Sequence, residues 1–540
     1  MDRPTIRKEN IMESYGILAL LPAAIVITLA LVTKKTHLSL VIGIFVGVVI
    51  LCGGNPLTAF PIMFRDYIIP PLTSESNIRT LIIIVVIQGM AKMLRITGAG
   101  PAMANAIKRI VKTKRGAETV TTVAGFAFIY TEPCFLLGVV MRPITEAYRV
   151  TKIKLAYICD SLGCNMASLS PICSYGPYYV GLIAVELAAL GLPGDGWNVY
   201  GEYWTHNFYA ILAILLVYFV CITGKDIGKL YLAEKRADVT GRLIGPGEVP
   251  VVPDNPEDIP SDEEKFPLRN FAIPMITMLV VLLGCAFWEG NVIENGVVGA
   301  FRNCTITLDI ICGLTAAGLS SVVVGACQKR FSIIEGFQKW LDGCCVALNV
   351  VLILVLAWAL SSVSGALDLS GVVAGFVDSI GVSPSIIPAF IFLAGAVMSF
   401  ATGSSWGTTA LLMPIAVPIC YDYGLGVGIG AAAAVAGGLF GDHCSPISDT
   451  TIKASMASGS DHMAHVTTQI PYAVTAGVGT FIAYLIDGLT GSLIVGIVVG
   501  LAIMIGAIMV QNRMAVNKYK DYDFDAEIAQ SGDQAETAGA

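Results

Sequence analysis

Carboxylate and hydroxyl groups are concentrated in one short segment of a sequence that is otherwise mostly apolar. Residues 441–451 read GDHCSPISDTT and follow an apolar run rich in alanine and glycine. A helix cannot pass Pro446 with its backbone hydrogen bonds intact, because proline has no N–H. Freed carbonyls and side-chain oxygens that converge there would suit a hard cation such as sodium. The candidate ion-binding residues of this segment are Asp442, His443, Ser445, Ser448, Asp449 and Thr450, with Asp442 and Asp449 as metal ligands.

The alternative for this segment is an aqueous loop in which Asp442, Ser448 or Asp449 caps a helix. Two observations oppose it. The Ser-Pro-Ile triplet at 445–447 recurs at 170–172, and Lys453 is the only lysine or arginine near the segment, whereas several basic residues surround each clear cytoplasmic loop. His443 alone decides nothing, because a structural histidine and a proton carrier both fit it.

A second polar cluster follows an apolar stretch in the first half of the chain. A carboxylate such as Asp160 at mid-helix costs about 2.5–3.5 kcal/mol on membrane-insertion scales, so Asp160, Asp442 and Asp449 together would cost on the order of 8–10 kcal/mol. That cost is tolerable where the groups line a wet cavity or hold a cation. A buried structural acceptor is the alternative for Asp160. The candidate residues here are Asp160, Ser161, Asn165 and Ser170, with Asp160 as a third metal ligand.

Two further breaks interrupt apolar runs, at residues 130–133 (YTEP) and 401–409 (ATGSSWGTT). Glycine, proline and hydroxyl residues between apolar stretches favour unwound crossings of a membrane. Close helix packing through small residues is the alternative. These breaks add Glu132, Thr402, Ser404, Ser405 and Thr408 to the candidate site.

The composition is that of a membrane protein. Of the 540 residues, 55% are hydrophobic and 14% charged, and the mean hydropathy is +0.73, which nearly excludes a soluble domain. Apolar runs of about 20 residues, long enough to cross a bilayer, recur along the chain. We therefore predict an all-α polytopic membrane protein with roughly 12–14 transmembrane helices. No basic surface points to nucleic acid.

A proline-rich acidic segment divides the chain. Residues 225–268 hold ten acidic against six basic residues and six prolines, which predicts an extended aqueous linker. The other units are an N-terminal membrane half (1–224), a C-terminal membrane half (269–511) and a disordered acidic tail (512–540). Basic residues in the short loops place the linker and the tail in the cytoplasm.

The two halves align in one ungapped register, which places position 445 on position 170. Residues 170–172 and 445–447 are both Ser-Pro-Ile, and in the same register the Pro-Ile pair of 142–144 falls on that of 417–419. An internal duplication explains these matches. We expect two repeats with broken or re-entrant helices, and a substrate site where the repeats meet.

Other classes of function lack support. The chain has fourteen cysteines but no Cys-x-x-Cys pair, so we interpret cysteine as a small apolar residue rather than a metal ligand. No phosphate loop, nucleophile elbow or cofactor fingerprint occurs. We therefore expect no enzyme and no cofactor, and an ion gradient as the energy source. A channel is the second hypothesis and an intramembrane enzyme the third.

Residues 440–451 resemble the signature of NhaC-type sodium/proton antiporters of the ion transporter superfamily. Supporting stretches are 141–145 (MRPIT), 154–161 (KLAYICDS) and 401–408 (ATGSSWGT). The resemblance implies two inverted repeats, a bacterial or archaeal inner (cytoplasmic) membrane, and exchange of sodium against protons or an organic substrate. The residues that match the pattern are Asp160, Ser161, Asp442, Ser445, Asp449 and Thr450.

One departure from the family pattern leaves the exchanged substrate open. Many members carry an acidic pair where this chain has Ile129 and Tyr130, and Glu132 is the only carboxylate nearby. Sodium/proton antiport by alternating access remains the first hypothesis. The alternative is sodium-coupled transport of a small organic solute, an amino acid or a carboxylate. The expected partners are sodium ions, protons and the lipid bilayer, with an organic solute and a homodimer left open. The polar and aromatic groups for the organic-solute alternative are Asn165, Ser174, Tyr175, Tyr178 and Tyr179.

Overall fold

The computed structural model describes most of the chain as helices. The described residues are 15–33, 35–99, 102, 111–127, 133–171, 173, 175–194, 196–250, 266–369, 372 and 383–524. The α-helices of the first half are α1 (Leu21–Thr33), α2 (Thr36–Leu51), α3 (Pro56–Ile62), α4 (Glu75–Ile96), α5 (Lys114–Ala127), α6 (Pro133–Ala147), α7 (Lys152–Leu169), α8 (Tyr175–Ala189), α9 (Tyr200–His206), α10 (Phe208–Thr223) and α11 (Gly228–Thr240). Those of the second half are α12 (Arg269–Glu289), α13 (Val292–Asn303), α14 (Ile306–Cys327), α15 (Ile333–Cys345), α16 (Leu348–Ala366), α17 (Ile387–Thr402), α18 (Ser405–Asp422), α19 (Val427–Cys444), α20 (Asp449–Ser458), α21 (His462–Thr490) and α22 (Leu493–Lys518).

The prediction of an all-α polytopic membrane protein is confirmed. Within the described residues, eight helices are long and apolar enough to cross a membrane, and a pair bent by 116° between α2 and the residues after Pro56 raises the number to nine. This is fewer than the 12–14 expected from apolar runs. One reason is that α7, although apolar for most of its length, carries Lys152, Lys154 and Asp160. The larger number stays a prediction.

The core lies between the two halves of the chain. The main hydrophobic cluster combines α7, α8 and α10 with α16 to α19, and a smaller one joins α4 to α12 and α14. α19 is buried along almost its whole length, because its run of alanine and glycine lets neighbouring helices approach closely. Trp358 of α16 donates a hydrogen bond to the Gly181 carbonyl of α8 (2.8 Å) and so joins the halves.

Several helices of the two halves have matching bounds in the register found in the sequence. That register aligns both ends of α7 with the two ends of α19. It also aligns the last residue of α6, Ala147, with the last residue of α18, Asp422. The last residues of α5 and α17, Ala127 and Thr402, correspond in the same way. The halves therefore share a pattern of helix ends as well as sequence motifs.

Two predictions about the aqueous segments need correction. The linker 225–268 was expected to be extended, but α11 lies within it, since its prolines begin only at Pro246 and Leu230 and Ala237 are buried. Residues 251–265 lie outside the described part. The tail was expected to be disordered from residue 512, but α22 continues to Lys518.

Candidate functional site

The break in the second half is shorter than the sequence predicted. α19 continues to Cys444, so Asp442 and His443 lie in its last turn, and only residues 445–448 are non-helical. Proline excludes helical geometry mainly at the residue before it and removes a single backbone N–H, so α19 can continue to Cys444 and end before Ser445. Ser445 is accordingly extended (φ −82°, ψ 128°).

The hydroxyls of the break cap the helix that follows it. Ser448 is the N-cap of α20 and accepts a hydrogen bond from the Thr451 N–H (3.4 Å). Its hydroxyl also lies 2.9 Å from the Thr450 hydroxyl. Ser445 is buried, and its Oγ accepts a long hydrogen bond from the Ile447 N–H (3.4 Å). Ser448 therefore caps a helix, as the aqueous-loop alternative proposed, but it does so among buried polar residues.

The break between α17 and α18 meets the break between α19 and α20. Gly403 adopts a left-handed conformation (φ +65°), and a Cβ there would lie 2.7 Å from the Ile447 carbonyl oxygen. Ser404 caps α18 by accepting from the Gly407 N–H (3.2 Å). The hydroxyls of Thr402 and Thr408 are 3.4 Å apart across the break. Ser405 is buried beside them.

Asp160 is held in the middle of α7 by donors from the other half. It is 1% exposed, and its Oδ2 atom accepts hydrogen bonds from Thr451 Oγ1 (2.9 Å) and Gln469 Nε2 (2.6 Å). Its Oδ1 atom has no hydrogen-bond donor among the described residues. The protein therefore fixes one carboxylate oxygen of Asp160 by two hydrogen bonds, and the described residues donate none to the other.

Asp442 contacts Thr450, the residue that precedes Thr451 in α20. Its Oδ2 atom accepts a hydrogen bond from Thr450 Oγ1 (3.1 Å), and the Thr450 hydroxyl also faces Asp160. We refer to Asp160, Asp442 and Thr450 as the ion site, a candidate for cation binding in which two buried carboxylates contact one hydroxyl. Hard oxygen ligands and negative charge are what a sodium ion requires.

His443 is fixed through both ring nitrogens. Nε2 lies 2.9 Å from Ser161 Oγ, and Nδ1 lies 2.8 Å from the Tyr209 hydroxyl. Asn165 donates to the Ser161 carbonyl (2.7 Å) from the next turn of α7. The structure therefore places Ser161, Asn165 and His443 close to Asp160 and Asp442, and their part in ion binding stays a prediction.

Several contacts of the ion site escaped the sequence analysis. Thr451 and Gln469 bind Asp160 directly. The Gln469 amide oxygen lies 2.8 Å from His465 Nε2. His465 and Gln469 are four residues apart on one helix, and such residues share a helix face. This spacing could have indicated their contact from the sequence.

The remaining candidate site residues lie at helix ends or outside the described residues. Ser170 is buried and ends α7. Asp449 is the first residue of α20, and its side chain lies outside the described part. Glu132 lies outside the described residues, as do Ile129, Tyr130 and Ser174.

An aromatic cluster adjoins the break before α18. The Trp406 ring contacts the rings of Tyr175 and Tyr178, with centroids 4.3 and 4.5 Å away. The Tyr178 hydroxyl donates to the Trp406 carbonyl (2.8 Å). Tyr179 packs edge-on against Tyr178 and is buried. The aromatic residues considered for an organic ligand therefore do lie together.

Two cysteines also approach the ion site. Cys134 Sγ and Cys164 Sγ are 3.4 Å apart, and both lie within 4.8 Å of an Asp160 carboxylate oxygen. The sequence offered no indication of this pair, because it depends on how α6 packs on α7. Both thiols are buried, and together with Asp160 they form a group that could hold a metal ion, so the interpretation of cysteine as an apolar residue stays a prediction.

Comparisons with known proteins agree with this picture. A family model described as "Na+/H+ antiporter family" matches residues 166–489. An uncharacterized protein of Haemophilus influenzae is 27% identical over 500 residues, which cover 89% of this chain and 93% of that protein. The malate-2H(+)/Na(+)-lactate antiporter of Bacillus subtilis is 33% identical over 107 residues, 20% of this chain and 23% of that protein. The crystal structure of the Alcanivorax borkumensis YdaH transporter has a similar fold (TM-score 0.55, 13% identity, 81% of this chain and 90% of that one).

Proposed function

This chain belongs to the Na+/H+ antiporter family and is a multi-pass secondary transporter, and we propose that it exchanges sodium ions for protons by alternating access. The motif at residues 440–451 supports assignment to the NhaC-type group. The proposal includes a location in a bacterial or archaeal inner membrane. No cofactor is needed, since sodium is itself the transported ion.

The observation that carries the proposal is the pair of consecutive threonines at the start of α20. Thr450 donates to Asp442 of the second half, whereas Thr451 donates to Asp160 of the first half. A sodium ion held by Asp160 and Asp442 would be bound by both halves at once. Asp449 completes the proposed set of carboxylates. Movement of one half against the other would then change the side from which the site is open.

Exchange follows from competition for the same oxygens. A protonated carboxylate has lost the charge that attracts sodium, so a site that takes up protons releases sodium. By linkage, bound sodium must lower the affinity for protons by the same factor. Two carboxylates that both interact with Thr450 therefore suffice in principle to couple the two ions, without the acidic pair that other members carry.

The test is sodium-driven proton movement in proteoliposomes that contain the purified protein and a trapped pH-sensitive dye. We expect a sodium gradient to change the internal pH, and Asp160→Asn or Asp442→Asn to reduce the rate at least tenfold, since the amide is isosteric but uncharged. The matched control is Asp309→Asn, a buried carboxylate on α14 away from the ion site. Wild-type rates in both site variants would disprove the assignment.

Coupled transport of an organic solute is the second candidate, and the cluster of Tyr175, Tyr178 and Trp406 beside the break favours it. The Bacillus subtilis relative is named for exchange of organic acids together with ions. The same vesicles distinguish the two candidates. If no pH change occurs with sodium alone but one appears when a single amino or carboxylic acid is added, the organic-solute candidate stands and simple exchange fails. A pH change with sodium alone that is lost in Glu132→Gln would favour exchange and give Glu132 a part in it.

A further inference from the structure

Two histidines near the start of α21 share one serine hydroxyl. His462 Nδ1 lies 3.1 Å and His465 Nδ1 2.9 Å from Ser455 Oγ, which belongs to α20. The outer nitrogen of each ring faces an oxygen. His462 Nε2 lies 2.7 Å from the Pro446 carbonyl oxygen, and His465 Nε2 lies 2.8 Å from Gln469 Oε1. We refer to His462 and His465 as the histidine pair.

The contacts of the two Nε2 atoms, which we call the outer contacts, require a proton on each Nε2 atom. The Pro446 carbonyl can only accept a hydrogen bond, so His462 Nε2 must donate. The Gln469 amide is oriented by its neighbours: its Nε2 group donates to Asp160 Oδ2 (2.6 Å) and to the His443 carbonyl (2.8 Å). Its oxygen therefore faces His465, and His465 Nε2 must also donate.

The inner contacts then require an additional proton. Both Nδ1 atoms face Ser455 Oγ, but a serine hydroxyl has only one hydrogen. If it donates to one Nδ1, the other Nδ1 must donate to Oγ, and that ring is an imidazolium. If it donates to the Thr451 carbonyl instead (2.9 Å), both rings must be charged. The complete set of hydrogen bonds thus places at least one positive charge on the histidine pair.

The histidine pair connects the ion site with the protein surface. His465 is fully buried, and Gln469 alone separates it from Asp160, whereas His462 is partly exposed. The adjacent Asp461 accepts a hydrogen bond from the Val249 N–H (3.0 Å), in the segment predicted to face the cytoplasm. A proton on the histidine pair can therefore pass to water at His462.

The charged and titratable neighbours of the pair come from several helices. His465 faces Asp160 of α7 and His443 of α19, in addition to His462. On the side of His462, Asp461 caps α21 and the Arg142 guanidinium of α6 packs against Gly459. Asp160 is the carboxylate whose negative charge acts on His465 from within the membrane.

We propose that the histidine pair is a proton-binding site which holds a proton while the ion site is empty and releases it through His462 when sodium binds. The inference rests on the proposed sodium/proton exchange. Sodium at Asp160 neutralises the charge that favours the imidazolium, and the two positive charges repel each other across Gln469. The proton passes to water at His462 and does not cross the Gln469 amide.

The experiment measures protons released for each sodium ion bound, by titration calorimetry of the purified full-length protein in buffers of different ionisation enthalpy. Release of one proton for each sodium ion bound changes the apparent sodium Kd about tenfold per pH unit. We expect the double variant His462→Gln/His465→Gln to bind sodium and to release about one proton fewer than the wild type. His206→Gln is the matched control, because His206 bonds to the Glu202 carbonyl at another position.

The outcomes separate this inference from the proposed function. Equal proton release by the double variant and the wild type would overturn the histidine-pair site and leave sodium binding intact. Absence of sodium binding by the wild type would overturn both. If the double variant does not fold, nitrogen NMR of histidine-labelled wild-type protein gives the answer: imidazolium signals that disappear on addition of sodium support the site, and neutral rings throughout overturn it.

Discussion

The Ser161 hydroxyl and the Nε2 atom of His443 lie 2.9 Å apart, although 282 residues separate them in the chain. Each is the immediate neighbour of a carboxylate of the ion site, Asp160 on α7 and Asp442 on α19. The contact therefore fixes the separation of two helices that come from different halves of the chain. A substitution at either residue should therefore shift the positions of both carboxylates.

Ser161→Ala removes this contact with little loss of volume. A neutral hydrogen bond contributes about 0.5–1.5 kcal/mol, so we expect the apparent sodium affinity to fall roughly three- to tenfold while the protein stays folded. The measurement is the sodium concentration for half-maximal proton movement. Ser168→Ala is the control, since its hydroxyl donates to the Asn165 carbonyl within the same helix (2.8 Å). Equal affinity in Ser161→Ala and the wild type would contradict the prediction.

Gly437 lets α17 and α19 pack closely enough to bring the two breaks together. A Cβ at this position would lie 2.3 Å from the Phe392 carbonyl oxygen, and Gly395 packs against it from α17. We expect Gly437→Ala to lower the free energy of unfolding by about 1–3 kcal/mol, because backbone must move to make room. Thermal unfolding in detergent measures this loss of stability.

The control for that change is Gly365→Ala. Gly365 lies in α16 with nothing within 4 Å of the added Cβ. Alanine should there raise the unfolding temperature slightly, since it is about 1 kcal/mol more favourable than glycine in a helix. Equal effects of the two substitutions would show that close packing at Gly437 does not limit stability.

The sequence predicted the local breaks better than the contacts between helices. Pro446 and Gly403 reveal their breaks directly, because proline lacks an N–H and glycine tolerates a positive φ. The histidine pair and Gln469 could not be assigned, because their roles depend on the packing of α20, α21 and α7. The helix α11 was missed because the prolines of residues 246–267 determined the interpretation of the whole linker.

Lys154 and Asp226 form an ion pair buried beneath the ends of α7 and α10. The Lys154 side chain is 0% exposed, and Glu118 lies 3.9 Å from its ammonium group. The Tyr472 hydroxyl of α21 also donates to Asp226 (3.3 Å). In the sequence Lys154 stands out only as part of the stretch 154–161, and its burial in the core emerges from the structure alone.

Lys154→Met should therefore destabilise the protein strongly. It leaves two buried carboxylates without their cation, and removal of one partner of a buried pair costs about 3–5 kcal/mol. Thermal unfolding should show a large loss, and Lys229→Met, on the exposed face of α11, should show almost none. If the double variant Lys154→Met/Asp226→Leu is no more stable than Lys154→Met, the loss does not come from the unpaired carboxylate at Asp226.

The last prediction concerns the orientation of the two halves. Ser170 ends α7 and Ser445 ends α19, both are extended and buried, and the register of the two halves aligns them. The matching helix bounds support a duplication, and an inverted duplication requires the two serines to approach the repeat interface from opposite sides of the membrane. In a background with fewer cysteines, Ser170→Cys and Ser445→Cys should react with impermeant thiol reagents from opposite faces during transport. Ala19→Cys, buried near the start of α1, should react from neither face. Reaction of both serine positions from the same face only would exclude an inverted repeat while leaving the duplication itself in place.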